Sequence, residues 1–376
     1  MHWRRLINKP KERWVIKAGS SLVAGNDAGI DQSFIQNLVS QVNKLLKQGI
    51  QVIIVSSGAV AKGMYELNLK ERPNSLHLLQ ATAAVGQLGL INSYQLEFSN
   101  FDIKTAQVLI SHDDIANRER YLNARRSLAT LLEMRVVPIV NENDSVSTEE
   151  ISFGDNDTLA GAIVGLTDAD RFVMLSDQKG VYSQDPQKEK NAKLLSVINL
   201  DDASTEIDRI TEGSSGSLGR GGMKTKIKAA RLSLDSGAKT WVADGNDPEA
   251  LIKIFNGQQV GTFFEGERDK LQSRKKWIAS LGIPKGKLIL DDGAAKAIVE
   301  DGSSLLPVGV TTIEGEFEKG ALVVCLNNNE EVAKGFCNFN SLELKLILGL
   351  KSEEISSTLG YASEEEVIHR DNLVLS

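Results

Sequence analysis

The chain is short of cysteine. Cys325 and Cys337 are its only two, and they fit neither a CxxC pair nor a zinc-ligand spacing, so both are read as core thiols. Long apolar runs are missing as well. No stretch reaches the roughly 18 apolar residues that a transmembrane helix needs. The opening segment, MHWRRLINKPKER, is basic but has no apolar segment after it, so no secretory signal is expected. Basic charge is not in excess either. The net charge is −7 and the pI about 5.4, so the global balance points to neither a nucleic acid nor a membrane. No GxxxxGK[ST] loop occurs, and no GxGxxG stands between a strand and a helix. The first absence excludes a Walker A phosphate loop, and the second disfavours a dinucleotide fold. A cytoplasmic protein is expected.

What is present is material for a large core. Of 376 residues, 41 % are apolar, and the length predicts two domains. The densest chemistry lies between Pro138 and Ala160, PIVNENDSVSTEEISFGDNDTLA. Val136 to Val140 reads as a buried strand. It runs into Asn141-Glu142-Asn143-Asp144. Then Gly154-Asp155-Asn156-Asp157 opens an apolar helix from Thr158 to Leu166. Carboxylates and carboxamides thus gather at a strand end and at a helix start. Ligands bind at the carboxyl ends of strands in open α/β sheets. Carboxylates accept from ammonium, and carboxamides both donate and accept, so the cluster suits a substrate with an amine and a carboxylate. The same residues would also serve as a polar loop with a helix cap.

Other strand ends carry small residues. WVIK, Trp14 to Lys17, ends in Ala18-Gly19-Ser20-Ser21, where backbone N–H groups and a lysine charge could meet a phosphate. Apolar residues from Phe34 to Leu46 have helical spacing, and Gly49 ends that helix. The strand Gln51 to Val55 then runs into Ser56-Ser57-Gly58-Ala59, which makes Ser57 a candidate for a substrate carboxylate. A long helix spans Ser75 to Phe98, a strand Thr105 to Ile110, and an arginine-bearing helix Asn117 to Met134. The strand Arg171 to Leu175 exits into Ser176-Asp177-Gln178-Lys179-Gly180, polar residues that fit nucleotide contacts. Finally, TEGSSGSLGRGGMKTK, Thr211 to Lys226, brings five glycines into a helix from Met223 to Asp235. Such a loop can cradle phosphates through backbone N–H groups, or serve as a flexible linker.

Strands alternate with helices as far as Thr262, which predicts an α/β unit: a mainly parallel open sheet sandwiched by helices, over residues 1–264. A charged linker is expected over 265–283. Short segments separated by turns then predict a small, mainly β domain over 284–362, followed by a tail over 363–376. Between Pro284 and Ala362 there are seven lysines, no arginines, three aspartates and nine glutamates, a charge of −5. That acidity makes RNA binding through this domain an unfavoured reading, because phosphate recognition needs a basic footprint.

IKAGSS, VSSGA, VNENDSV, GDNDTLA, LSDQKGVY and GRGGMKTK occur in that order. Together they resemble the amino acid kinase family, in particular its glutamate 5-kinases. The segment GAAKAIVEDGSSLLPVGV resembles the PUA domain appended to many members. The resemblance implies the amino acid kinase fold and ATP-dependent phosphorylation of the L-glutamate side-chain carboxylate, the first step of proline synthesis from glutamate. It implies that Lys17 and Lys226 act at the phosphates, with Asp157 orienting both. Ser57, Asp144 and Asn156 stand at glutamate-binding positions. Gly19, Ser176 and Asp177, together with Arg220, Gly221, Gly222, Met223, Lys224, Thr225 and Lys226, stand at nucleotide-binding ones. Ser176 and Arg220 replace residues that are more often threonine; serine keeps the hydroxyl, while Arg220 adds charge. Magnesium would be carried by the nucleotide, with no protein metal ligand. A homo-oligomer and feedback inhibition by L-proline are further implications.

The chemistry agrees with the motifs. A glutamate side-chain carboxyl ordinarily titrates at about 4.3, so the nucleophile is already ionised at neutral pH and needs no general base. The four histidines, His2, His77, His112 and His369, lie outside all of these motifs. Backbone N–H groups of Gly19 and of residues 219–222 are expected to stabilise developing charge. Other kinases of this fold, acting on aspartate, N-acetylglutamate, carbamate or a nucleotide, are the rival readings. Asp144 favours a free amine over N-acetylglutamate, whereas chemistry alone does not exclude aspartate.

Overall fold

The structure, a computed structural model, describes residues 12–25, 29–111, 114–115, 117–146, 156–186, 188–189, 191–201, 222–266, 284–361 and 364–375. The chain divides into two compact units, each with its own sheet.

The strands of the first unit are β1 (Glu12–Ala18), β2 (Ile50–Val55), β3 (Thr105–Ile110), β4 (Val137–Glu142) and β5 (Arg171–Ser176). The short hairpin β6 (Val181–Tyr182) and β7 (Leu194–Leu195) follows, then β8 (Val197–Asn199), β9 (Lys239–Asp244) and β10 (Thr262–Glu265). The main sheet has the order β3-β4-β2-β1-β5-β9-β10-β8. Every pairing from β3 through β9 is parallel; β10 runs antiparallel to β9 and parallel to β8. Its helices are α1 (Ser20–Val23), α2 (Gln32–Lys47), α3 (Ala59–Glu66), α4 (Leu76–Ser99), α5 (Arg118–Glu133), α6 (Asn156–Thr167), α7 (Met223–Asp235) and α8 (Ala250–Phe255).

Central strands are apolar on both faces. Trp14, Val15 and Ile16 in β1, and Phe172, Val173 and Met174 in β5, are all fully buried. A continuous apolar run, rather than an alternating one, is what a sheet covered by helices on both faces requires. Each such side chain contributes about 1.5–3 kcal/mol by leaving water. Helix α2 buries Phe34, Ile35, Leu38, Val39, Val42 and Leu45, one face at helical spacing. Asp31 caps its start by accepting the Phe34 N–H at 3.0 Å, and Gly49, at φ +82°, turns the chain out of it.

Two helix pairs cross on glycine. A Cβ on Gly86 of α4 would lie 2.0 Å from the Ala59 carbonyl oxygen of α3, and one on Gly161 of α6 would lie 2.9 Å from the Ala229 carbonyl oxygen of α7. Only glycine lets these backbones approach so closely. The second crossing sets the functional site, because the first turns of α6 and α7 carry Asp157 and Lys226.

The chain leaves β1 on one side for β2, and returns on the other as β5. Sheet order therefore places the ends of β4, β2, β1 and β5 side by side, carrying Asn141, Ser56-Ser57, Lys17 and Ser176 in that sequence. This is the switch-point arrangement at which open α/β sheets bind ligands.

The second unit contains β11 (Gly286–Leu290), α9 (Asp292–Asp301), β12 (Val310–Glu314), β13 (Leu322–Asn327), β14 (Glu330–Phe336), α10 (Ser341–Ile347), α11 (Ser352–Leu359) and β15 (Leu373–Leu375). Its sheet order is β12-β11-β13-β14-β15 around a core that includes Leu288, Val323, Cys325, Cys337, Phe339 and Leu344. Both cysteines are buried and free, and burial pushes each thiol up to about 12, so they behave as small apolar side chains. The segment expected as a tail supplies β15, which pairs antiparallel with β14. Its last residues are too few to announce a strand in sequence, and only the open edge of β14 makes them one. Most of the expected linker over 265–283 lies outside the described residues.

Candidate active site

Helix α6 begins at Asn156, two residues before the expected start, so Asn156 and Asp157 belong to its first turn rather than to a loop before it. An acidic residue there is favoured by the helix dipole. Asp157 is fully buried, and its carboxylate is the centre of the site. Lys17 Nζ, from the end of β1, lies 2.6 Å from Asp157 Oδ1; Lys226 Nζ, from the first turn of α7, lies 3.0 Å from Oδ2. Burial alone pushes this carboxyl up. The two ammonium groups override that effect and hold it well below the usual carboxylate range. Thr225 adds a third group: its hydroxyl lies 2.9 Å from Asp157 Oδ2 and 2.8 Å from the Gly222 carbonyl, and its one proton serves both. One carboxylate thus fixes two cationic heads that come from opposite ends of the unit's sequence.

The residues expected on the substrate side form a second cluster. Ser57 and Asn156 are buried and adjacent: Asn156 Nδ2 donates to Ser57 Oγ at 3.1 Å, to the Ser56 carbonyl at 2.6 Å and to Asn141 Oδ1 at 2.8 Å. Asn141 in turn donates to Gln87 Oε1 at 2.7 Å. Ser56 Oγ donates to the Ser57 carbonyl at 3.1 Å, so Tyr94 must be the donor across its 3.0 Å contact with Ser56 Oγ. Burial pushes the Tyr94 phenol up to about 12, against the opposing Ser56 bond, which keeps it a donor. Asn141 belongs to the polar cluster expected after β4 without a role of its own there, while Gln87 and Tyr94 lie outside every expected motif. The available signal was a glutamine and a tyrosine seven residues apart in a helix otherwise rich in Leu and Ala.

Asp144 sits half-buried in the turn after β4. Burial first, and then the Glu142 carboxylate, push it up to about 7, with Arg72 opposing. Between about pH 4 and 7 the folded chain therefore holds a proton that an unfolded one has released, and ionising the group in the fold is unfavourable. An ammonium ion at this position would offset that cost.

On the other side of β1, Ser176 ends β5. Its hydroxyl reaches Asp177 Oδ1 at 3.2 Å and accepts the Gln178 N–H at 3.3 Å. Met223 opens α7 after Gly222, and Lys224 and Thr225 complete its first turn. Arg220 and Gly221 lie outside the described residues. Gly19 departs from its expected role. Its N–H donates to the Leu175 carbonyl at 3.1 Å, tying β1 to β5, and a Cβ there would lie 2.9 Å from the same oxygen. The glycine serves close strand approach, and the Ser20 and Ser21 amides that open α1 are the ones left at this turn.

Comparison with known proteins identifies the family. Residues 12–244 match the model of the amino acid kinase family, and residues 286–359 match that of the PUA domain. The chain is 48 % identical over 368 residues to a glutamate 5-kinase of Nitrosococcus oceani, covering 98 % of each chain. It is 46 % identical to one of Nitrosospira multiformis over 98 % of this chain and 99 % of that one, and 47 % identical to one of Saccharophagus degradans over 99 % of each. Among solved structures, a UMP kinase from Ureaplasma parvum aligns with a TM-score of 0.45 at 19 % identity, over 68 % of this chain and 99 % of that chain.

Proposed function

Because the chain belongs to the amino acid kinase family, we propose that its site transfers the γ-phosphoryl group of ATP to the side-chain carboxylate of L-glutamate. The product is L-glutamyl 5-phosphate, and the step opens proline biosynthesis from glutamate. The observation that carries this reading is Asp157 held between Lys17 and Lys226, directly after Asn156 of the acceptor-rich cluster. Phosphoryl transfer demands positioning and charge neutralisation more than covalent chemistry. A carboxylate oxygen of the substrate attacks the γ-phosphorus, the bond to the β-γ bridging oxygen breaks, and ADP leaves with that electron pair. No proton has to move. Lys17 and Lys226 carry the charge that builds on the phosphoryl oxygens, and Asp157 keeps both heads in place. Asp144 takes the substrate ammonium together with Asn156, and Ser57 faces the rest of the amino-acid head. Ser176, Asp177 and the turn from Gly222 to Lys226 face the nucleotide; Arg220 and Gly221, outside the described residues, are assigned to it by the motif alone.

Magnesium fits as a companion of the nucleotide. The carboxylate at the phosphate end, Asp157, is engaged by two lysines, so the ion would come with the nucleotide's phosphates. When bound, Mg²⁺ neutralises phosphate charge; the residues facing that charge here are Lys17 and Lys226.

A coupled ADP-release assay with MgATP and L-glutamate tests the reading, run beside L-aspartate and N-acetyl-L-glutamate, with hydroxylamine to trap the acyl phosphate. Turnover with aspartate but not glutamate would overturn the substrate and leave the lysine roles intact. L-proline, whose ammonium and carboxylate resemble those of glutamate, would compete at Asp144 and Asn156; a proline titration that leaves the KM for glutamate unchanged would rule this out.

Asp144 makes the affinity pH-dependent. Only its carboxylate form pairs with ammonium, so with a pKa of about 7 the KM for glutamate is expected to rise about tenfold from pH 8 to pH 6. The KM for ATP should hold nearly constant. Asp144→Asn is expected to raise the KM for glutamate and to flatten the profile. A profile in Asp144→Asn as steep as that of the parent would assign the titration to another group.

The long helix α4 also leaves Leu78, Val85, Leu88 and Leu96 exposed, Leu88 to 78 %. This apolar stripe supports a homo-oligomer that buries it. Leu88→Glu is expected to lower the mass measured by light scattering; an unchanged mass would place the contact elsewhere.

A further inference from the structure

The orientation of the Asn156 carboxamide follows from its partners. A carbonyl oxygen only accepts, so the atom of Asn156 that lies 2.6 Å from the Ser56 carbonyl must be its nitrogen. The Asn141 oxygen then faces that nitrogen at 2.8 Å, which turns the Asn141 nitrogen toward Gln87 and requires the Gln87 oxygen there, at 2.7 Å. The chain of amides is therefore directional, and it ends on Gln87 in helix α4. Gln87, Asn141 and Asn156 are all more than nine-tenths buried. Three acceptors surround the two protons of Asn156 Nδ2, while Asn156 Oδ1 is buried with no partner among the described residues. A buried acceptor without a partner is unfavourable unless a ligand supplies the donor. Oδ1 thus offers an acceptor to the ligand, as the ionised Asp144 carboxylate does. An ammonium has donors for both, whereas an acylated nitrogen has one at most.

We propose that Gln87 is a positioning and specificity-determining residue which, acting through Asn141, locks the Asn156 carboxamide with its oxygen toward the substrate, so that the site reads a free α-ammonium group. The proposal rests on the assignment of this cluster to the amino-acid substrate. Without the Gln87 oxygen, Asn141 loses the acceptor for its nitrogen and is free to turn over. A turned Asn141 presents its own N–H groups to Asn156 Nδ2 in place of an acceptor, so the orientation that the Ser56 carbonyl sets loses its second anchor. Loss of one such buried hydrogen bond corresponds to roughly a tenfold change in affinity.

The test uses the full-length protein and two variants. Gln87→Met keeps the length of the side chain without its acceptor, and Gln87→Glu keeps an acceptor oxygen. Three quantities are measured in each: the KM for L-glutamate, the KM for ATP, and the inhibition constant of glutarate, which has both carboxylates but no amine. In Gln87→Met the KM for glutamate is expected to rise about tenfold, with the ATP and glutarate constants within about twofold of the parent. In Gln87→Glu the KM for glutamate is expected to stay within about threefold. General damage to the fold would shift glutarate and ATP along with glutamate. The proposal is overturned by a KM for glutamate in Gln87→Met within twofold of the parent, by a parallel loss of glutarate affinity, or by an equal rise in Gln87→Glu. A parent protein that turns over no glutamate would instead remove the functional assignment itself.

Discussion

Asp157→Asn is expected to lose catalytic activity and thermal stability together. The carboxylate is fully buried, and it holds two ammonium groups at 2.6 and 3.0 Å. Removing its charge leaves Lys17 and Lys226 as like charges, buried side by side, with only a neutral amide between them. Breaking a buried ion pair by deleting one partner typically costs about 3–5 kcal/mol. The sign follows from the depressed pKa. The folded chain holds the ionised form more tightly than the unfolded chain, so this stabilisation is present above the ordinary carboxylate range and is lost as pH falls through the folded value. At neutral pH the whole contribution is therefore at risk in the variant. The rate is expected to fall by ~10³ or more, since both charge carriers lose their orientation at once. Calorimetric melting and the ADP-release assay measure the two losses. A variant that melts with the parent and keeps its kcat would remove Asp157 from the centre of the site.

Lys17→Ala and Lys226→Ala are each expected to reduce kcat by roughly 10²–10³, with much smaller changes in the KM for glutamate. In the proposed reaction each lysine faces charge that exists mainly in the transition state, so its loss should be felt in the chemical step rather than in binding the amino acid. The pair works as a unit on one carboxylate. The double variant is therefore expected to be less impaired than the product of the two single losses. Single-turnover kinetics separates these effects from nucleotide binding. Near-parental kcat in either single variant would take that lysine out of the mechanism, and strict multiplicativity would argue against a shared anchor.

Much of this arrangement was legible before any coordinates. WVIK, VPIVNE and RFVMLS are apolar without alternation, and that pattern specifies strands buried on both faces. Their polar exits had to lie together once the strands were parallel neighbours, so Lys17, Ser57, Asn141 and Ser176 could be placed at one edge of a sheet. The signals that failed were non-local ones. Gly19 has the composition of a phosphate turn, yet its N–H goes to Leu175, because β5 lies against β1 and supplies a carbonyl there. Leu373–Leu375 reads as a tail until the free edge of β14 pairs with it.

The family, the alternation of strands and helices, and the residue types at each strand end could all be read along the chain. The family rests on the resemblance of its ordered motifs; the rest depends on hydrophobic period and turn chemistry, which act over a few residues. The sharing of Asp157 by Lys17 and Lys226 could not, because that contact needs the glycine-mediated crossing of α6 and α7 as well as the parallel placement of β1. Nor could the orientation of the Asn156 carboxamide, since a carboxamide has no preferred direction of its own. Only the Ser56 carbonyl and the amides of Asn141 and Gln87, brought in from three other elements, give it one.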